Sequence, residues 1–402
     1  MRHLARGYYG RLPEIDVEAA DEQTVDSQPE VRKRGRAKRG SIDLPFLVLT
    51  LFILTIGVIT VLSASFARAY YTTGRPMRIF MRQVLFAVSG IGLMLVVSRV
   101  KPEFMRKWSM PLLLVSILFL AVVPFAGIEE NGARRWLGFG SFTFQPSEIT
   151  KLAEILAFAH LISNFKNKMG TFKYGVLPFA VIVVVIVGLL ILEPHLSASV
   201  IILGIAVVMM WAGGTRGFWF AIGFVAVALA GVVIISGMGY AGDRISAWRH
   251  PEQDPLDSGF QILQSLYAIG SGGLLGLGIG QSRQKYLYLP EEHNDYIFAI
   301  FCEELGFVGA MVILILFAML IIRGFWIAMH AKNRFDFLVA TGITSMLAIQ
   351  VFLNVGVVTN LLPSTGISMP FFSYGGTALW IQLVEMGIVL SISRDIPIEK
   401  AG

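Results

Sequence analysis

One aspartate stands where a polar stretch meets a long apolar run. Asp295 follows His293-Asn294 and directly precedes Tyr296-Ile297-Phe298. A carboxylate at such a boundary suits a general base, because partial burial brings its pKa towards neutral pH. The same position is typical of a helix N-cap, where an aspartate side chain accepts backbone N–H groups. Spacing alone favours the cap, and general-base chemistry is the second interpretation.

Cationic and aromatic side chains near this aspartate, or in other segments between apolar runs, are candidates to bind an anionic group. They are Arg134, Arg135, Trp136, Arg249, Arg283 and Lys285. Preorganised cations stabilise charge that develops in a transition state, and an arginine pair beside a tryptophan suits a phosphate or a sugar. For any single one of these cations, contact with lipid headgroups is the simpler interpretation.

Two carboxylates, Glu291 and Glu292, lie just before Asp295. They could hold a divalent cation, Mg²⁺ or Mn²⁺, together with a diphosphate, although solvated loop carboxylates are the simpler interpretation. Cys302 is the single cysteine and the six histidines include no pair at ligand spacing, so no metal site built on cysteine or histidine is expected. A divalent cation is therefore the one cofactor candidate.

The elements that must position these residues are transmembrane helices. The chain has 402 residues, 55% hydrophobic and 15% charged, and such an apolar excess must face lipid. Apolar runs of roughly 20 residues, enough to cross a bilayer, recur at residues 44–66, 79–98, 110–127, 147–162, 174–192, 196–211, 218–237, 296–322, 337–358 and 371–391. Backbone groups in lipid must bond within their own segment. The sequence predicts an all-α integral membrane fold with about ten transmembrane helices.

The polar ends of the chain and its longest loop complete the predicted organisation. Residues 1–43 form a polar tail with a basic end, residues 44–393 a transmembrane domain and residues 394–402 a short second tail. Lysine and arginine in the short loops predict that both termini are cytoplasmic. The long loop between the seventh and eighth spans is then extracytoplasmic. It contains a helix-like stretch with apolar positions 260, 263, 266 and 267, followed by a glycine-rich run, residues 270–280. Such a segment can lie in the membrane interface or re-enter the protein.

Ionisable residues within the predicted spans are candidates for a functional role, because burying a charge in lipid is costly. Glu148, Lys151 and Glu154 follow one another at i, i+3 and i+6, and Lys151 is predicted to pair with either glutamate as a structural ion pair. Glu303 and Glu304 lie about two turns into the eighth span, and Glu385 lies in the last span without an evident partner.

Four motifs in order resemble those of the SEDS family of bacterial cell-wall proteins. They are NGARRWLGFGSFTFQPSEITKL at 131–152, EPHLSAS at 193–199, the segment 264–309 that contains HNDYIF, and LPSTGISMPFFSYGGT at 362–377. The resemblance covers nearly everything after the tail. It implies a ten-helix glycosyltransferase that polymerises lipid II outside the membrane, with undecaprenyl diphosphate as leaving group. Asp295 occupies the position of the family's catalytic aspartate, which favours the base over the cap.

Two positions depart from the family pattern, and one stretch indicates which branch of the SEDS family the sequence resembles. Asn294 replaces a threonine, and His195 replaces the aspartate of a Glu-Pro-Asp-Leu motif. Residues 282–285 resemble the division-type branch, or its sporulation relative. The implied partners are a class B penicillin-binding protein and other divisome membrane proteins, with no nucleic acid. The implied place is the bacterial cytoplasmic membrane at the division septum.

Two other functions stay open at this point. Many helices with buried glutamates would also suit a lipid II flippase, although the sequence shows no internal repeat of the kind common in transporters. A non-catalytic scaffold that activates a divisome partner is the third hypothesis. In that case Asp295 would have no role in chemistry.

Overall fold

The computed structural model of the protein describes residues 39–130, 133–139, 142–237, 245–253, 259–286, 289 and 293–396. The chain divides into two units, Met1–Arg39 and Gly40–Gly402, and the fold described below is that of the second unit. The predicted tails, residues 1–43 and 394–402, lie largely outside the described residues. Their assignment stays a prediction.

Eleven longer helices, numbered in chain order, account for most of the described residues. They are α1 Leu44–Thr73, α2 Arg78–Val97, α3 Pro102–Ala126, α4 Pro146–Phe165, α5 Leu177–Leu192, α6 Leu196–Ala212, α7 Gly217–Gly237, α8 Phe260–Gly272, α9 Ile297–Met329, α10 Arg334–Val358 and α11 Gly376–Ser393. All except α8 correspond to predicted spans, and α8 lies in the long loop.

Seven of the described helices are long and apolar enough to cross a membrane: α1, α2, α3, α5 with the turn before it, α9, α10 and α11. The apolar parts of α6 and α7 are shorter, and α4 carries Glu148, Lys151 and Glu154 within 20 residues. These three helices complete the predicted set, so the multi-pass helical membrane fold is confirmed.

The centre of the bundle is formed by α4, α10 and α11. Their residues are mostly buried, whereas α2, α3 and α5 present most of their apolar side chains to the outside. A helix with apolar residues all round fits either a protein core or lipid, and these two groups of helices represent the two cases. Polar side chains that must be sheltered from lipid therefore lie mainly on the central helices.

Helix α9 is broken at Gly306, where the backbone has φ 66° and ψ −168°. The glycine-rich run that follows α8 fills the break: the amides of Leu277 and Gly278 donate to the carbonyls of Glu303 and Glu304, at 3.0 Å each. A Cβ on Gly276 would come 2.1 Å from the Glu304 carbonyl oxygen, so only glycine fits there. Of the two alternatives for this run, interfacial or re-entrant, these contacts with α9 favour the re-entrant one, and the two amides are satisfied as a membrane requires.

The amphipathic helix predicted in the long loop exists as α8, and the side that packs against the protein differs from the apolar positions 260, 263, 266 and 267. The buried positions are Ile262, Ser265, Ala268 and Gly272, whereas Tyr267 is 58% exposed. A Cβ on Gly272 would come 2.2 Å from the Cys302 carbonyl oxygen. Close backbone contact with α9 selects small residues for the buried face and leaves the large ones outside.

Two further features differ from the prediction. The last span was expected to begin at residue 371, but Phe371 has φ 64° and α11 begins only at Gly376. The loop between α3 and α4 contains a small antiparallel sheet of three strands, β1 Ile128–Glu130, β2 Ala133–Phe139 and β3 Phe142–Phe144. Strands this short give no periodic signal strong enough to predict beside flanking apolar helices.

Candidate active site

Asp295 lies immediately outside the start of α9 and is half-buried. The helix begins at Ile297 with Tyr296 in the N-cap position, and the Tyr296 side chain makes no capping hydrogen bond. Asp295 therefore lies one residue before the N-cap, and both the capping and the general-base interpretations stay predictions.

The main chain around Asp295 is held from α10 and from the segment before α11. Asn354 is fully buried in α10, and its Nδ2 donates to the Asp295 carbonyl at 2.9 Å and to the Ile367 carbonyl at 2.7 Å. Ser373 Oγ donates to the Asn294 carbonyl at 2.8 Å, and the Tyr374 amide donates to the His293 carbonyl at 2.9 Å. We call residues 293–296 and 364–367 the Asp295 corner.

Gly366 lies close to the Asp295 carboxylate. Gly366 has φ 71°, and a Cβ at this position would come 3.1 Å from Asp295 Oδ2 and 3.9 Å from Ser197 Oγ. Ser197, in the first turn of α6, donates to the Thr365 carbonyl. The corner therefore brings the third and fourth sequence motifs against the start of α6, which carries the second motif.

Arg135 fastens the turn between α5 and α6 to the small sheet. Its Nη2 donates to the Pro194 carbonyl at 2.5 Å, and its Nε donates to the Glu193 carbonyl at 3.4 Å. Arg134, which precedes Arg135 on β2, points away from this turn and makes an exposed ion pair with Glu129 at 3.6 Å. Neighbouring residues on a strand face opposite sides, so only Arg135 of the predicted arginine pair reaches this turn. Trp136 is half-buried.

The turn that Arg135 contacts contains two buried titratable groups. Burial raises the pKa of Glu193 to about 8, although the Arg135 charge opposes the shift. Within the described residues the Glu193 carboxylate has no hydrogen-bond partner. Burial lowers the pKa of His195 to about 3, and the charges of Arg135 and Lys151 act in the same direction. At neutral pH both side chains are therefore uncharged.

Lys285 lies inside the protein and is 3% exposed. Its ammonium contacts Glu304 Oε1 at 3.1 Å, the Gly280 carbonyl at 2.6 Å and Ser63 Oγ at 3.2 Å. Sequence reasoning expected a loop cation that faces the diphosphate, and the structure brings Lys285 to an internal ion pair. Its role as a substrate contact stays a prediction.

The adjacent Glu303 carboxylate accepts from the backbone of the same loop. The Arg283 amide donates at 2.9 Å, the Gln284 amide at 3.3 Å, and Ser282 Oγ at 2.5 Å. Ser63 Oγ also donates to Glu304 at 2.5 Å. We call Glu303, Glu304, Lys285, Ser63 and Ser282 the buried hub. It attaches the loop to α9 about two turns beyond Asp295.

Three other predicted residues lie at the surface or outside the described residues. The side chain of Arg283 is exposed, as is Arg249. Arg249 follows Trp248, whose indole donates to the Asn360 carbonyl at 3.1 Å. Glu291, like Glu292, lies outside the described residues. Substrate binding by all three stays a prediction.

The predicted ion pair in α4 is confirmed for one of the two glutamates. Lys151 Nζ lies 2.8 Å from Glu148 Oε2. Glu154 is fully buried, and its carboxylate has no hydrogen-bond partner within the described residues. Glu385 of α11 interacts electrostatically with Lys151 and Glu148, which gives it the partner that the sequence did not reveal.

No group of three or more His, Cys, Asp or Glu side chains in the described part of the chain is arranged to hold a metal ion. The candidate carboxylates Glu291 and Glu292 are not among those residues. A divalent cation bound with the diphosphate therefore stays a prediction.

Sequence reasoning missed three residues that belong to the Asp295 corner or pack against it. Ser197 and Gly366 stand within quoted motifs, but small residues carry no chemical signal of their own. Asn354 stands in an apolar span, and a buried amide in such a span is a detectable signal for a structural hydrogen bond.

Comparison with known proteins agrees with this architecture. Residues 44–396 match the family model FTSW_RODA_SPOVE, described as cell cycle protein. The chain is 42% identical over 361 residues to stage V sporulation protein E of Bacillus subtilis, and the aligned region covers 89% of this chain and 98% of that protein. It is 38% identical to the probable peptidoglycan glycosyltransferase FtsW of Trichlorobacter lovleyi, over 88% of this chain and 93% of that one.

Two solved structures are similar in fold and in sequence. A chain of a peptidoglycan synthase complex, described for its coordination of polymerization and crosslinking, superposes with a TM-score of 0.74 at 27% identity, covering 89% of this chain and 99% of that chain. The rod shape determining protein RodA of Thermus thermophilus gives a TM-score of 0.66 at 28% identity, covering 88% and 97%. The chain belongs to the FtsW/RodA/SpoVE family, which is the SEDS family that its four motifs indicate.

Proposed function

We propose that this protein is a peptidoglycan glycosyltransferase that polymerises lipid II, with Asp295 as the general base. Its membership of a class of membrane glycosyltransferases is supported by relatives that carry the name peptidoglycan glycosyltransferase FtsW. The residue-level mechanism is supported by one observation above all: the Asp295 carboxylate lies beside Gly366 while Asn354 holds its main chain.

In the proposed reaction a sugar hydroxyl attacks the anomeric carbon of a second lipid-linked sugar. The new glycosidic bond forms as the bond from that carbon to the diphosphate oxygen breaks, and undecaprenyl diphosphate leaves with the electron pair. Asp295 takes the hydroxyl proton. A positioned base contributes about 10²–10⁴-fold in such reactions.

The leaving diphosphate gains negative charge, which nearby cations stabilise. Arg135 and Arg283 are the proposed contacts. Arg135 is fixed against the turn before α6, and the exposed side chain of Arg283 extends from a loop that the buried hub fastens to α9. Lys285 contributes by holding the same loop.

The proposed setting is the outer face of the bacterial cytoplasmic membrane at the division septum, with both termini in the cytoplasm. The proposed partner is a class B penicillin-binding protein, with other divisome membrane proteins in the same assembly. Similarity to a chain of a peptidoglycan synthase complex supports a crosslinking partner.

The test is reconstitution in liposomes with lipid II and the class B partner, comparing the wild-type protein with Asp295→Asn. We expect glycan strands from the wild type and a loss of at least about 10²-fold in the variant, with unchanged partner binding. Parallel reactions with Mg²⁺, Mn²⁺ or a chelator show whether a metal ion takes part.

The same liposomes separate the other two hypotheses. A flippase would move labelled lipid II across the bilayer. The Glu304→Gln variant would then lose this transport activity, whereas the Asp295→Asn variant would retain it. A scaffold would leave strand synthesis unchanged in Asp295→Asn. Either pattern contradicts the proposed function.

A further inference from the structure

A membrane-facing groove runs along the seam between α1 and α9. Its volume is about 290 Å³, and its walls come from Ile56, Ile59, Thr60 and Ser63 of α1, from residues 301–313 of α9, and from Ile279 of the re-entrant loop. Ile59 is 50% exposed and Val312 is 52% exposed. The groove is therefore open along the side that faces lipid.

The groove has a polar end and an apolar end. Helices α1 and α9 run in opposite directions, since Ser63 contacts Glu304 at 2.5 Å and Asp43 contacts Arg323 at 2.7 Å. Ser63 and Glu304 therefore mark the end nearer the Asp295 corner, and Ile56 and Ile313 mark the far end. At about 1.5 Å per residue, the α1 wall from Ile56 to Ser63 is about 10 Å long.

The polar end of the groove is also where the loop with the candidate diphosphate contacts is attached. Glu304 accepts from Lys285 Nζ at 3.1 Å, and its neighbour Glu303 accepts from the Arg283 amide at 2.9 Å. A hydrocarbon chain in the groove would thus have its attached polar group beside this loop. The gradient of polarity matches a lipid whose chain ends in a phosphate group.

We propose that the groove between α1 and α9 binds the polyprenyl chain of the lipid-linked substrate, near its diphosphate end. This inference rests on the proposed function for the identity of the substrate. The apolar walls offer branched side chains to the isoprene units, and burial of apolar surface in such a groove stabilises the bound chain. Phospholipid acyl chains are the competing occupant.

The experiment uses the purified full-length protein in phosphatidylglycerol nanodiscs and a polyprenyl diphosphate that carries a photoreactive group on its chain. Cross-linked peptides are mapped by mass spectrometry. We expect label on the groove-lining segments of α1 and α9, and at least tenfold less label when unlabelled undecaprenyl diphosphate competes.

Two tryptophan variants on the same face of α1 provide a matched pair. Ile59→Trp fills the groove, whereas Val48→Trp lies three turns away on the same face, is similarly exposed at 54% and does not line the groove. Ile59→Trp should reduce labelling at least tenfold, and Val48→Trp should leave it unchanged. Val312→Trp tests the opposite wall independently. The labelling pattern of the wild-type protein is informative even if a variant fails to fold.

Label elsewhere on the wild-type protein, or equal labelling of Ile59→Trp in a folded sample, would overturn the proposal. So would a photoreactive phospholipid that labels the groove and is not displaced by undecaprenyl diphosphate. Because labelling needs no catalysis, a labelled groove together with an active Asp295→Asn variant would refute only the proposed function. An unlabelled groove with an inactive Asp295→Asn variant would refute only the groove.

Discussion

The Asp295 corner, just before α9, and the buried hub, about two turns into α9, are held together in different ways. In the hub, Glu303 and Glu304 accept from backbone amides, from hydroxyls and from the Lys285 ammonium. In the corner, neighbouring groups hold the main chain of Asp295, and its side chain lies beside Gly366. The hub carboxylates fasten a loop to α9, whereas the corner fixes the backbone position of Asp295.

The largest expected effect comes from breaking the ion pair of the hub. Lys285→Met leaves Glu304 charged and buried without its cation, which costs about 3–5 kcal/mol of folding free energy. Thermal unfolding in detergent measures the change. The double variant Lys285→Met/Glu304→Gln should recover much of the loss. A Lys285→Met variant as stable as wild type would show that the hub is not the structural anchor described.

Gly366→Ala tests the space around the catalytic carboxylate. The alanine would adopt a left-handed backbone at a cost of about 1–2 kcal/mol, and its Cβ would press on Asp295 Oδ2, so strand synthesis should fall by at least about tenfold. Gly74→Ala is the control, since Gly74 has φ 66° with no atom within 4 Å of an added Cβ. Equal activity of the two variants would contradict a role for the space at Gly366.

The stability of the turn between α5 and α6 should depend on pH through Glu193. Its pKa rises from 4.5 to about 8 on folding, so the folded state binds the proton more tightly. The contribution to stability is complete below pH 4.5 and is lost as pH rises through about 8. Glu193→Gln should flatten this part of the profile of unfolding temperature against pH. A wild-type profile that is already flat across this range would contradict the burial of this carboxyl.

The smallest effect is expected at the position that departs from the family pattern. His195→Asp would place a carboxylate near Arg135 and Lys151, whose charges already act on this site. Strand synthesis should stay within about threefold of wild type, because the two cations offset the cost of burying the new charge. The His195→Leu variant is the control for loss of the polar group alone. A large loss in His195→Asp would indicate that a neutral ring is required there.

The sequence predicted the helices well because long apolar runs leave a membrane chain few other structures. It located Asp295 through a motif, and it left open whether the glycine-rich run lies in the membrane interface or re-enters. It could not predict that Lys285 turns inward, because a loop lysine and a buried partner such as Glu304 are not linked by any short-range pattern. The break at Gly306 and the small sheet depend on tertiary contacts in the same way.

The contrast between corner and hub is tested most directly by the rate of strand synthesis per folded molecule in Asp295→Asn and in Glu303→Gln. The account predicts that Asp295→Asn unfolds at the wild-type temperature and loses at least about 10²-fold in rate. It predicts that Glu303→Gln unfolds at a lower temperature, and that the molecules still folded retain most of the rate. Strand synthesis by Asp295→Asn within about threefold of wild type would contradict the assignment of Asp295 as the base.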